Sequence, residues 1–142
     1  NNRLQGYQEA LTNAGYPIDP ALIVSTDWNP ASGVGVTQQL IAQAPDVDAI
    51  FVSSGDAMAL VVMETLRELG RSMPEDIAIV GFDNSSVGET GALPLTTVSQ
   101  EIRTVGVKLM VENLMKLIDG QKAPTQVIEG KLIIRRSCGA VS

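Results

Sequence analysis

The stretch that decides the fold is Ile77-Ala78-Ile79-Val80-Gly81-Phe82, followed by Asp83-Asn84-Ser85-Ser86. A continuous apolar run that stops at polar turn residues reads as a strand buried on both sides, the habit of parallel sheets. A second such run lies upstream, Ala49-Ile50-Phe51-Val52, and it too ends in turn chemistry, Ser53-Ser54-Gly55-Asp56. Between the two, Ala57 to Leu69 has the length and composition of a helix closed by Gly70, with Met73-Pro74-Glu75-Asp76 as the next loop.

Working outward, the alternation continues. Arg3 to Ala14 places Leu4, Tyr7 and Leu11 on one helical face, with Gly15 as a stop. Leu22-Ile23-Val24 reads as a short strand running into the loop Ser25-Thr26-Asp27-Trp28-Asn29-Pro30. Gly33 to Ala44 is the next helix, with Val36, Leu40 and Ile41 as its apolar stripe. Beyond Phe82, Asp83 to Pro94 is a polar loop and Thr96-Thr97-Val98 a short extended piece. Glu101 to Asp119 is a long helix, and Gln126 to Glu129 and Leu132 to Arg135 are two closing extended segments. Strands alternating with helices define an α/β fold, a parallel sheet with helices on both faces. Because the first element is a helix, the strand that would feed it is expected before residue 1, and the chain reads as a piece of a longer protein.

Composition narrows the function. The 142 residues are 44% hydrophobic and 18% charged, enough for one ordinary core. There is no His, which removes Ser-His-Asp and Cys-His catalysis and His-ligated metal sites. The single Cys, Cys138, excludes an internal disulfide and a four-cysteine zinc site. A net charge of −6 disfavours a nucleic-acid face, since phosphate-backbone affinity needs a basic surface. The short basic group Lys131, Arg135 and Arg136 reads as strand-flanking charge. No apolar run approaches the roughly 20 residues of a membrane span. Gly33-Val34-Gly35 only begins like a dinucleotide fingerprint, with Gln38 at the third glycine position and no strand immediately before it. These exclusions leave binding rather than catalysis, with no metal and no cofactor expected.

In an open α/β sheet, ligands bind outside the carboxyl ends of the strands. The loops at that edge carry Asp27-Trp28-Asn29, Ser53 to Asp56, and Asp83 to Ser86, and Arg3 opens the first helix beside them. An indole with carboxylates and a guanidinium suits a sugar: Trp28 for the CH face of the ring, and Asp83, Asn84 and Arg3 for its hydroxyls. Each has a plainer alternative. Trp28 is a loop anchor, Asp83 a turn cap, and Asp56 a helix N-cap rather than a ligand contact. An Arg in the first turn opposes the helix dipole, so Arg3 calls for a ligand or an acidic partner. The run Met58-Ala59-Leu60-Val61-Val62-Met63 is apolar around the whole helix, so it packs on more than one face, inside the domain or against a second subunit.

Ile79-Val80-Gly81-Phe82-Asp83-Asn84, followed by Pro94-Leu95-Thr96-Thr97-Val98-Ser99-Gln100, closely resembles the signature of lactose-repressor/galactose-repressor family regulators. So do Leu69-Gly70 with Pro74-Glu75-Asp76-Ile77, the helix start Arg3-Leu4-Gln5-Gly6-Tyr7, and the closing Leu132 to Cys138. The resemblance implies a periplasmic-binding-protein-like three-layer sandwich of two subdomains, of which this chain is the C-terminal part. Residues 1–97 would form the C-terminal effector-binding subdomain, and 98–142 the return segment whose long helix packs on the other subdomain. It implies a ligand site at Arg3, Trp28, Gly55, Asp56 and Asp83, with Gly55 standing where many members have an Asn. It also implies a homodimer surface, placed at Asn29, Leu60, Val62 and Met63. The small-molecule effector would be a sugar or related polyol. DNA would be contacted only by an N-terminal helix-turn-helix outside this chain, and the protein would be cytoplasmic. The rival readings are a periplasmic sugar-binding protein of an uptake system and a carbohydrate-processing enzyme.

Overall fold

The structure is a computed structural model that describes residues 2–140, excepting the side chain of Arg103. The two decisive apolar runs form neighbouring parallel strands, β1 (Ala49–Phe51) and β2 (Ala78–Phe82), with Ile50 opposite Ile79. The strand β3 (Thr96–Ser99) lies parallel on the other side of β2, with Gly81 opposite Thr97. The last strand, β4 (Lys131–Ile133), pairs antiparallel with β3, giving the order β1-β2-β3-β4. The sheet is thus mostly parallel, with one antiparallel edge.

Five α-helices accompany it: α1 (Asn2–Asn13), α2 (Gly33–Gln43), α3 (Asp56–Glu68), the single turn α4 (Ser86–Glu89) and α5 (Val107–Ile118). The core sits between α3 and the sheet. Met58, Ala59, Val62, Met63 and Leu66 form one buried stripe of α3 against Val52, Ile77, Ile79 and Leu95. Each large side chain in that stripe contributes about 1.5–3 kcal/mol by leaving water. On β2 the burial alternates: Ile79 and Gly81 are buried, while Ala78, Val80 and Phe82 are half-buried. The expected burial on both faces is therefore complete only on the α3 side. Behind α3, α2 crosses it at Gly33, where an added Cβ would meet Met58 Sδ and Val61 Cγ1 at 2.9 Å each. Only glycine lets the two helices approach that closely.

The chain's end is fastened into this core. Ser137 is fully buried in a 3-10 turn (Arg136–Cys138), where its hydroxyl accepts from Thr96 N at 2.8 Å and donates to Ile79 O at 2.6 Å.

Three expected elements differ. Leu22-Ile23-Val24 is not a sheet strand. Pro20–Leu22 is a 3-10 turn capped by the Asp19 side chain, which accepts from Ala21 N, and Ile23 and Val24 belong to no strand. Gln126 to Glu129 is likewise irregular. The long helix does not begin at Glu101. That residue has a left-handed backbone (φ 51°), the next turn (Ile102–Gly106) is wound as a π-helix, and regular α-helix starts at Val107. Along α5, Val107, Met110, Val111, Leu114, Leu117 and Ile118 form an exposed apolar stripe.

Candidate functional site at the carboxyl edge of the sheet

All three parallel strands deliver a polar residue to one edge. β1 leads to Ser53 and Gly55, β2 to Asp83, and β3 to Gln100. The amino-terminal turn of α1 brings Arg3 to the same place. The Arg3 guanidinium donates to the carbonyl of Ser53, stacks on the Phe82 ring at 3.7 Å from its centroid, and lies 3.7 Å from Asp83 Oδ1. Gln100 Nε2 donates to that same Asp83 oxygen at 2.8 Å. The Asp83 side chain remains 44% exposed, so this carboxylate is oriented from two sides yet open to solvent.

Trp28 stands over the group, its ring 5.5 Å from the Arg3 guanidinium carbon, and is 68% exposed. Its loop is held by side-chain turns rather than by packing of the indole. Asp27 Oδ1 accepts from Asn29 N at 3.1 Å and from the Ser32 hydroxyl at 2.6 Å. Asn29 Oδ1 caps the following 3-10 turn at Ala31 N. Beside the group, Phe82, Val98, Gln100, Ile102, Gln126, Ile128 and Gly130 line a concavity of about 410 Å³. It shares Phe82 and Gln100 with the polar cluster.

Of the expected ligand residues, Arg3, Trp28 and Asp83 therefore converge on one exposed patch. Gly55 lies against them. Its backbone (φ 110°, ψ 161°) belongs to a region reserved for glycine, and a Cβ there would stand 2.9 Å from Asp83 Oδ2. Asp56 does not reach the patch. It is 1% exposed, and its two oxygens accept from Ser85 and Thr97, so it is neither an open ligand contact nor the cap of its own helix, whose cap position is Gly55. Asn84 is also turned away: its Oδ1 accepts from Arg135 Nη2 at 2.9 Å.

Two of the four expected dimer residues are buried as well. Val62 and Met63 are 5% and 8% exposed because they lie on the sheet-facing stripe of α3, inside this chain's own core. Leu60 is half-buried, and Asn29 is an exposed turn cap. Gln100 joins the site beyond the residues expected from sequence: it is the first residue after β3, so the edge rule that singles out Asp83 points to it too, but Thr96-Thr97-Val98 is too short to declare a strand end by pattern alone.

An α/β sheet with a guanidinium, a carboxylate, a carboxamide and an open indole at its carboxyl edge is the architecture of a small-molecule binding domain. Residues 1–138 match the periplasmic binding protein-like domain family. The chain belongs to this family, in the branch found in lactose-repressor-type transcriptional regulators. It is 42% identical over 137 residues to the HTH-type transcriptional regulator CelR of Thermobifida fusca, covering 95% of this chain and 40% of that protein. It is 31% identical over 140 residues to the HTH-type transcriptional regulator AscG of Escherichia coli, covering 99% of this chain and 41% of the relative. Among solved structures, a CelR–cellobiose complex superposes with a TM-score of 0.85 at 38% identity, over 95% of this chain and 41% of that one. The Escherichia coli repressor AscG superposes with a TM-score of 0.85 at 31% identity, over 95% of this chain and 49% of that one. The chain thus spans less than half the length of each of these relatives.

Proposed function

We propose that this chain is the C-terminal part of the effector-binding region of a transcriptional regulator, and that its effector is a neutral saccharide held between two subdomains. The observation that carries the reading is the pairing of Asp83 with Arg3 and Gln100 beneath an exposed Trp28. A carboxylate, a guanidinium and a carboxamide accept from and donate to ring hydroxyls, and the indole covers the CH face. The likeness to a CelR–cellobiose complex supports a β-linked glucose disaccharide as the first ligand to try.

In this reading the exposed α5 stripe is covered by the other subdomain, and residues 98–142 carry the chain across and back. Closure around the sugar shifts the balance between two subdomain arrangements, and a homodimer passes that shift to helix-turn-helix heads on DNA. The α3 face offered to a partner is the exposed Ala57 and Glu64 with the half-buried Leu60 between them, which also packs on the core, and not the buried Val62 and Met63. The protein is cytoplasmic, needs no cofactor, and returns its ligand chemically unchanged. The kinship with regulators favours this over an uptake protein. A thermal-shift screen of the full-length protein against sugars and nucleosides tests it, since a ligand that binds only the folded state raises Tm. Stabilisation by cellobiose or a related saccharide supports the reading. Stabilisation by nucleosides alone refutes it.

A further inference from the structure

The site carboxylate is presented by an unusual piece of backbone. Asp83 (φ 104°) and Asn84 (φ 50°) are consecutive non-glycine residues with positive φ. Such residues cost free energy and persist only where the surroundings over-determine them. Three ties surround this turn. Ser85 donates its amide at 2.6 Å and its hydroxyl at 3.0 Å to Asp56 Oδ2. Thr97 donates its hydroxyl to Asp56 Oδ1 at 2.6 Å, and the same hydroxyl oxygen accepts from Asn84 N at 3.2 Å. Arg135 holds Asn84 Oδ1 at 2.9 Å while its other guanidinium nitrogen donates to Leu95 O at 2.8 Å.

Asp56 is the centre of this arrangement. It sits in the first turn of α3, where negative charge is favoured, yet its bonds run to the turn after β2 and to β3 rather than to the amides of its own helix. Gly81 and Gly88 leave the room it occupies: a Cβ at Gly81 would lie 2.6 Å from Asp56 Oδ1, and one at Gly88 3.5 Å from Oδ2. A buried carboxylate so enclosed and so fully used does not touch ligand.

We propose that Asp56 is a positioning residue for effector binding: by tying Ser85 and Thr97, it holds the Asp83–Asn84 turn in the left-handed shape that aims the Asp83 carboxylate at the ligand. The proposal rests on the saccharide-binding reading for its effect on affinity, and stands apart from it for its effect on the turn.

The test uses the full-length protein and two readouts, amide hydrogen exchange at Asn84 and Ser85 and calorimetric titration with cellobiose. Asp56→Asn keeps the shape of the side chain and weakens charge-assisted bonds. It should speed exchange at these two amides by about tenfold or more while core amides keep their protection, and weaken cellobiose binding about tenfold. Ser85→Ala, which removes only the 3.0 Å bond of a half-buried residue, should move both readouts the same way by about threefold, and it decides the matter if Asp56→Asn does not fold. In an Asp83→Asn background, Asp56→Asn should change cellobiose affinity less than about twofold, because the group it aims is no longer a carboxylate. A merely structural residue would lower Tm and weaken binding equally in both backgrounds. That result, or unchanged exchange at Asn84 and Ser85, overturns the proposal. Faster exchange in Asp56→Asn, where even the wild-type protein binds no saccharide, upholds the role in the turn and refutes the sugar reading instead.

Discussion

Trp28→Ala removes a ring that contributes little to the folded chain and, on this account, much to the ligand. The ring is 68% exposed, so of the about 250 Å² that a tryptophan can present, roughly 170 Å² is open to a ligand. A sugar lying on one face covers about half of that, worth about 2 kcal/mol at about 25 cal/mol per Å², or roughly thirtyfold in Kd. The loop itself stays folded, because Asp27, Asn29 and Ser32 fix it through their own side chains. The change in folding stability should be below about 0.5 kcal/mol, as for other exposed positions. Calorimetric titration of the full-length protein with its saccharide measures the first quantity, and thermal unfolding without ligand the second. An unchanged Kd refutes the stacking role. A fall in Tm that accounts for the loss of binding makes Trp28 an anchor instead.

Other consequences can be checked one at a time. Arg3→Ala should cost at least about tenfold in saccharide affinity, seen by titration, and abolish the effector response while operator binding by gel shift is kept, because Arg3 orients Asp83 at the proposed saccharide site. Gly81→Ala should destabilise the domain by about 1–3 kcal/mol in denaturant unfolding, since the new methyl group meets Asp56 Oδ1 at 2.6 Å and Leu95 Cδ2 at 2.8 Å in a closed core. Ser137→Ala should cost about 1–3 kcal/mol by the same assay, because it strands the amide of Thr96 in the interior. Met63→Asp should unfold the protein in thermal denaturation rather than split a dimer.

Local pattern suffices for the central strands. The runs 49–52 and 77–82 were legible as parallel strands because an apolar segment bounded by turn residues has few other uses. The edge rule places Asp83 and Arg3 at one end of the sheet, where the structure has them together. Leu22-Ile23-Val24 misled because three apolar residues do not make a strand without a neighbour, and Asp19-Pro20 supplies its own turn. Asp56 misled because an acidic residue ahead of an apolar helix has the same signature whether it caps the helix, meets a ligand or ties a distant turn. Its partners Ser85 and Thr97 are 29 and 41 residues away in sequence. Val62 and Met63 failed as interface residues for a related reason: a helix apolar on all sides does not declare which side faces the sheet. The positive φ of Asp83 and Asn84 has only a weak signature in residue type, since Asp and Asn tolerate this region better than other non-glycine residues but do not require it.

Whether this edge of the sheet grips a saccharide without altering it is tested directly by calorimetric titration of the full-length protein with cellobiose, followed by chromatography of the sugar recovered after dialysis. The expected result is saturable binding of one sugar per chain, lost in Asp83→Ala, with the disaccharide recovered intact. Saturable binding that survives Asp83→Ala, recovery of glucose, or the absence of binding by any neutral saccharide would contradict it.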